Sequence, residues 1–253
     1  MLLTADIGNT QTTLGLFEGR ELVESWRMAT DIRKTGDEIA ALLEDLLRLA
    51  SYSRDSVSGI ALSSVVPRLS REYSAMAARW FGTEALLIGP GVKTGMPILT
   101  NDPRQVGPDL IVDAVAAYEE CGGACIAVDF GTATTFSAVS AAGEYLGHAI
   151  APGIEVSLDA LAARAARLTK IELVDPGTVI GRNTLQAMQA GAIYGFAGQV
   201  DGIVARMRVE LDEHAVTIAT GGLAPLIFDH TSSLDRLDPM LTLRGLEIVY
   251  RRN

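Results

Sequence analysis

Asp6-Ile7-Gly8-Asn9-Thr10-Gln11-Thr12-Thr13 and Asp129-Phe130-Gly131-Thr132-Ala133-Thr134-Thr135 are two copies of one pattern, set about half a chain apart. Each copy follows a short apolar run, Leu2 to Ala5 in the first case and Ile126 to Val128 in the second. Each leads into a second strand-like run, Leu14 to Phe17 and Phe136 to Val139. A strand ending in Asp, a Gly turn rich in hydroxyls and a returning strand form a hairpin suited to phosphate. Glycine lets the backbone approach a phosphate closely. Successive backbone N–H groups and Thr hydroxyls offer donors to an anion. The Asp can position a hydrated metal cation beside the phosphates. One copy is a common turn sequence; two in the same setting point to duplicated domains that grip a nucleotide in a cleft between them.

Working outward, the chain reads as mixed α/β. A strand is expected over 21–28. Thr35-Gly36-Asp37-Glu38 opens a helix whose Ile39, Leu42, Leu43, Leu46 and Leu47 recur at helical spacing. A strand over 57–63, a helix over 67–80 with Pro67 in its first turn, and a short strand over 85–88 follow. Residues 89–107 form a Gly- and Pro-rich loop holding Val92, Met96, Ile98 and Leu99, the pattern of an ordered functional loop. A helix begins at Pro108. Strands over 125–129, 133–140 and 143–151 then repeat the opening meander. A helix through Ser157 to Ala162 and a long one from Asn183 to about Leu211 come next. The long helix carries Gly191, Gly195, Gly198 and Gly202, a sign of close helix packing within the chain or across a dimer axis. A strand over 216–220 and a last helix over 239–250 complete the order. The halves divide at 1–120 and 121–253.

Composition narrows the function. The 253 residues carry a formal charge of −10, against nonspecific nucleic-acid binding, which needs basic surface. No run approaches the apolar length of a membrane span. Strand-like sequence follows Met1 directly, so no signal peptide is expected. Two cysteines, Cys121 and Cys125, and three histidines make a zinc site improbable, and Cys125 reads as a small core residue. A reducing cytoplasm fits this usage.

Other stretches allow two readings each. Asp109, in Gly107-Pro108-Asp109, is either a first-turn acid that complements the helix dipole or a general base at a rigid loop–helix junction. Asp113, one turn on, is a candidate second acid. Gly221-Gly222 is either a tight turn or a surface for an adenine ring. Asn183 and Thr184 either cap the long helix or present donors to an anion.

Taken together, these stretches resemble the type III pantothenate kinases, members of the superfamily of acetate and sugar kinases, heat-shock chaperones and actin. The resemblance runs along the whole chain. It rests on 6–10, Lys93-Thr94-Gly95-Met96-Pro97, Val106 to Asp109, 129–135, Ile150 to Ile154, Gly181 to Thr184, Ala219 to Leu223 and Leu243 to Leu246. It implies duplicated ribonuclease H-like (actin-like ATPase) domains, each a mixed sheet flanked by helices. It implies ATP-dependent phosphorylation of pantothenate, the first step towards coenzyme A. Asp6, Ile7, Gly8, Asn9, Thr10, Gln11, Thr12 and Thr13 would cradle the ATP phosphates, with magnesium held through water on Asp6, and Thr132 would also contact ATP. Asp129 would help bind a monovalent cation, potassium or ammonium. Asp109 would be the catalytic proton acceptor. Gly107, Pro108, Asp109, Leu110 and Thr184 would line the pantothenate pocket. A homodimer would form through the long helix.

Three departures stand out. The family usually has Arg where this chain has Leu110, and that Arg is expected to hold the pantothenate carboxylate. The usual Asp-Asn-Pro is Asn101-Asp102-Pro103, with Thr100 in place of a common Tyr. Ser137 replaces an acid common after the second hairpin. A kinase of another small hydroxy acid, or a weakly active nucleotide-binding regulator, is the alternative reading.

Overall fold

The computed structural model describes residues 1–165 and 168–253. They fall into two compact units: one of 1–96, 101–116 and 241–253, the other of 97–100 and 117–240. Residues 241–253 belong with the first unit.

The first unit is built on a five-stranded sheet of β1 (Leu2–Ile7), β2 (Gln11–Glu18), β3 (Glu21–Ala29), β4 (Gly59–Ser64) and β5 (Ala85–Leu87), in the order β3-β2-β1-β4-β5. The β1–β2–β3 meander is antiparallel, and β1, β4 and β5 run parallel. Helix α1 (Gly36–Leu49) starts where expected, with a capping box: the Glu38 N–H donates to Thr35 Oγ1 and the Thr35 N–H to Glu38 Oε2. Its buried Ile39, Leu43 and Leu47 join Tyr73 and Met76 over the apolar face of β1, β2 and β4. Helix α2 (Pro67–Met76) is shorter than expected, because the chain widens into a π turn over Ala77–Phe81 and stops at Gly82, whose φ of 62° ends the helix.

Helices α3 (Pro108–Cys121) and α7 (Leu241–Arg251) complete this unit, α3 passing on into the second. Helix α7 packs on β1, β2 and β4. Glycines make that approach possible. A Cβ on Gly245 would sit 2.1 Å from the Val112 carbonyl oxygen, so α3 and α7 cross backbone to backbone there. The last helix was expected from Pro239, but Asp238 takes the Met240 N–H (2.9 Å) as a turn and α7 begins at Leu241.

The second unit repeats the plan: β6 (Cys125–Phe130), β7 (Ala133–Val139), β8 (Tyr145–Pro152), β9 (Val216–Thr220) and β10 (Arg236–Leu237), in the order β10-β9-β6-β7-β8. Read from β8, this is the order of the first sheet. Its core forms where α5 (Thr184–Leu211) covers Ile126, Val128 and Phe136 with Ile193, Ala197 and Val200. Helices α4 (Ile154–Arg164) and α6 (Ala224–Phe228) flank α5. No helix among the described residues is long and apolar enough to cross a membrane.

Candidate active site

The register shows how closely the two hairpins match. In the first, Asp6 pairs with Thr13 across β1–β2 and with Ser63 on β4. In the second, Asp129 pairs with Thr135 across β6–β7 and with Thr220 on β9. Each Asp therefore sits at the carboxyl end of the strand that joins the antiparallel meander to the parallel crossover. Paired side chains share a face, so a hydroxyl flanks each carboxylate on both sides. The turns differ by one residue. Gly8 N–H donates to the Gln11 carbonyl (3.0 Å), whereas Gly131 N–H donates to the Ala133 carbonyl (3.1 Å).

Strand alternation sorts the side chains of the first hairpin. Ile7 and Thr12 turn inward: Ile7 is part of the core, and the Thr12 and Thr30 hydroxyls lie 2.8 Å apart. These two shape the turn from beneath. Asn9, Thr10 and Gln11 are exposed at its tip, and Asp6 and Thr13 are half-buried on the other face.

Asp109 reaches the same site from α3. Burial, and to a smaller extent the Asp109 carboxylate, raise the Asp6 carboxyl to about 7 against the opposing pull of the Ser63 hydroxyl. Two carboxyl groups that oppose each other's ionisation form a place for a cation or a proton. Ser63 Oγ beside them is buried without a well-formed hydrogen bond. This donor set fits hydrated magnesium. Among the described residues no group of three or more His, Cys, Asp or Glu could hold a metal directly, so water and phosphate oxygens would complete its shell.

Gly107 sets the position of Asp109. A Cβ there would lie 2.3 Å from Asp109 Oδ1 and 3.4 Å from its Cγ, so the carboxylate folds back over a backbone with no side chain. Pro108 opens the helix, and the Ile111 N–H donates to the Gly107 carbonyl (3.2 Å). Gly107→Ala is expected to leave the fold intact and push the carboxylate aside. A displacement near 1 Å costs up to ~10²-fold in rate. Steady-state kinetics and circular dichroism check this together. Leu110 is only 6% exposed, and Asp113, the candidate second acid, 2%. Arg104, the nearest preceding cation in sequence, lies on Asp102, with Nε 2.9 Å from Oδ1.

In the second unit, two glycines close around the hairpin turn. A Cβ on Gly153 would come 2.4 Å from the Thr132 carbonyl oxygen, and one on Gly221 2.4 Å from Asp129 Oδ1. Gly221 also has φ +92°, which favours glycine. The tight-turn reading of Gly221 thus holds. What the sequence did not indicate is that this turn and Pro152-Gly153 both pack on the second hairpin. Ser137 is buried in β7, its hydroxyl 3.3 Å from that of Tyr145.

Thr184, the first residue of α5, lines a cavity of about 730 Å³ with Arg182, Leu158, Met188 and Phe196. Asn183 caps the helix, its Oδ1 accepting from the Gln186 N–H at 2.9 Å. In the long loop, regular structure is limited to a 3₁₀ turn at Pro103–Gln105 and a bridge from Ile98 to Tyr145. Its Lys93–Gly95 stretch is tied to the chain's end: Arg252 donates to the Thr94 carbonyl, and Asn253 exchanges hydrogen bonds with the Lys93 backbone (3.1 Å each).

Two sheets of like order, each with an Asp–Gly hairpin at the same strand end, define a duplicated ribonuclease H-like protein of the actin-like ATPase class. Component A of (R)-2-hydroxyglutaryl-CoA dehydratase from Acidaminococcus fermentans shares this fold with a TM-score of 0.57 at 13% identity, covering 98% of this chain and 96% of that one. Sequence goes further. The type III pantothenate kinase family model matches residues 2–206. The type III pantothenate kinase of Streptomyces avermitilis is 55% identical over 261 residues, spanning 100% of this chain and 98% of its own. That of Moorella thermoacetica is 53% identical over 253 residues, with 100% of both chains covered. The chain belongs to the type III pantothenate kinase family.

Proposed function

We propose that the protein transfers the γ-phosphoryl group of ATP to the hydroxyl of pantothenate, the first step of coenzyme A synthesis. The observation that carries this is the placing of Asp6 and Asp109 in one site, in a chain matched to the family along its whole length. Phosphoryl transfer is mostly positioning and charge stabilisation. Asp109 accepts the proton of the substrate hydroxyl. That oxygen bonds to the γ-phosphorus, and the bond to the bridging oxygen breaks, its electron pair leaving with ADP. The Gly8–Gln11 turn and the Asn9 and Thr10 side chains offer donors to the phosphates, as do the Gly131 turn and Thr132. When bound, magnesium would neutralise phosphate charge, held through water on Asp6. Asp129 is the proposed support for potassium or ammonium, and Asp129→Ala is expected to weaken the response of turnover to potassium while magnesium dependence persists. Gly107 to Leu110 and Thr184 are the proposed pantothenate contacts. A homodimer through α5, whose Gly191, Gly195 and Gly198 face open space, and a cytoplasmic location complete the reading.

Leu110 favours a second reading, an acceptor without the carboxylate. A hydrogen bond to a charged group contributes roughly 1.5–3 kcal/mol, so losing one raises the Michaelis constant about 10-fold or more. Leu110→Arg is expected to lower that constant for pantothenate and leave the one for ATP unchanged. ADP release is to be measured for both forms over pantothenate, its amide and related hydroxy acids. Wild type preferring the amide supports the second reading. A strong preference for pantothenate in wild type means another cation holds the carboxylate. No turnover of any acceptor sinks the kinase assignment.

A further inference from the structure

We propose that Arg182 binds the carboxylate of the acceptor, so that the substrate is a hydroxy acid and not its neutral amide. The proposal rests on the kinase reading above and supplies the charge that Leu110 does not. Arg182 lines the cavity of about 730 Å³ at the start of α5, together with Thr184. Among the described residues that line it, Arg182 carries the only charge, and none is acidic. Leu158, Leu161, Met188 and Phe196 make much of the rest of the wall apolar. An acceptor with an apolar body and one anionic end matches such a wall. The body is buried against the apolar side chains, and the single cation fixes which end lies at α5.

The backbone of Arg182 is held in place while its side chain is not. Gly181 packs on the first turn of α5, where a Cβ would lie 2.3 Å from the Ala187 nitrogen. The Arg182 N–H donates to Gln186 Oε1 at 3.0 Å. Asn183 Oδ1 accepts from the Gln186 N–H, and the Asn183 carbonyl from the Ala187 N–H, both at 2.9 Å. These contacts fix residues 181–183 against the helix and commit the side-chain oxygens of Asn183 and Gln186 to backbone donors. The Arg182 guanidinium and the Thr184 hydroxyl are exposed and have no hydrogen-bond or ion-pair partner among the described residues.

Neighbouring cations in the sequence are already engaged. Arg104 forks onto Asp102, Nε to Oδ1 at 2.9 Å and Nη2 to Oδ2 at 3.2 Å, and Lys170 Nζ lies 2.7 Å from Asp159 Oδ1. Arginine also suits the task by its chemistry. Its planar, permanently charged fork presents paired donors that match the two oxygens of a carboxylate. The Thr184 hydroxyl adds a donor from the next turn of chain.

The test compares pantothenate and its primary amide as acceptors for wild type, Arg182→Gln and Arg182→Lys. ADP release gives the kinetic constants, and calorimetry without ATP gives binding of each acceptor. In Arg182→Gln the Michaelis constant for pantothenate should rise about 10-fold or more, the scale of a lost hydrogen bond to a charged group. The constants for the amide and for ATP should stay nearly unchanged. So should kcat, as for a contact made equally in the ground and transition states. Arg182→Lys keeps the charge and should recover part of the loss. Wild type that uses the amide as well as pantothenate overturns the proposal, as does an Arg182→Gln variant that weakens both acceptors alike. Pantothenate turnover with an unchanged Michaelis constant in Arg182→Gln overturns the proposal and leaves the kinase reading standing. If wild type phosphorylates neither acceptor, the kinase reading fails and calorimetry still decides. Tighter binding of pantothenate than of the amide, lost in Arg182→Gln, upholds the role of Arg182, and no such difference removes it.

Discussion

Asp109→Asn lowers turnover by ~10²-fold or more, the scale of losing a general base, while ATP still binds. The substitution keeps the volume of the side chain and its place over Gly107, but an amide cannot accept the hydroxyl proton. The structure adds a second effect. The Asp109 charge helps raise the Asp6 carboxyl, so in the variant Asp6 should ionise at a lower pH. Steady-state rates give the first effect, and the pH dependence of magnesium-ATP binding gives the second. Near-normal turnover would leave Asp109 as a first-turn acid of α3 and nothing more.

Asp6→Asn removes magnesium-dependent turnover, with a loss of at least ~10³-fold, because it deletes the charge that would orient the hydrated metal and its phosphates. The same change should stabilise the protein without ligands at alkaline pH. Asp6 has a folded value of about 7 against 3.8 for the ordinary group. A raised carboxyl disfavours its own ionised form in the folded state, so native stability falls as pH rises from the lower value to the upper and stays reduced above it. Asn carries no such penalty. The variant should match wild type below pH ~4 and exceed it by on the order of 1–2 kcal/mol at pH 8, after allowance for the partial exposure of Asp6. Urea titrations at the two pH values, without magnesium, measure this. Equal stability at pH 8 would mean that neither burial nor Asp109 disfavours the Asp6 carboxylate in the folded protein.

The features most legible in the sequence are those set by local chemistry. Gly and hydroxyl residues between apolar runs gave both hairpins, and Thr35 with Glu38 gave the start of α1, because caps and turns are written in neighbouring residues. Elements decided by distant contacts were not legible. The docking of α7 on β1, β2 and β4 depends on what Gly15, Gly59 and Gly245 leave empty, and each owes its role to a partner far away in sequence. Helix α2 was read on to Trp80, since nothing in the neighbouring residues showed that the backbone widens into a π turn over Ala77–Phe81. At the site, Asp6 and Asp109 were both named, but their electrostatic contact is tertiary. Ile7 and Thr12 stood in the motif without a sign that they face inward. Cys125 was read as a core residue, which it is.

The most direct measurement is the product of a single incubation of the purified protein with magnesium-ATP and pantothenate, followed by mass spectrometry. A phosphorylated pantothenate, formed one for one with ADP and absent with Asp109→Asn over the same interval, is the expected result. ADP released without that product, or equal product from wild type and Asp109→Asn, would contradict the assignment of the site.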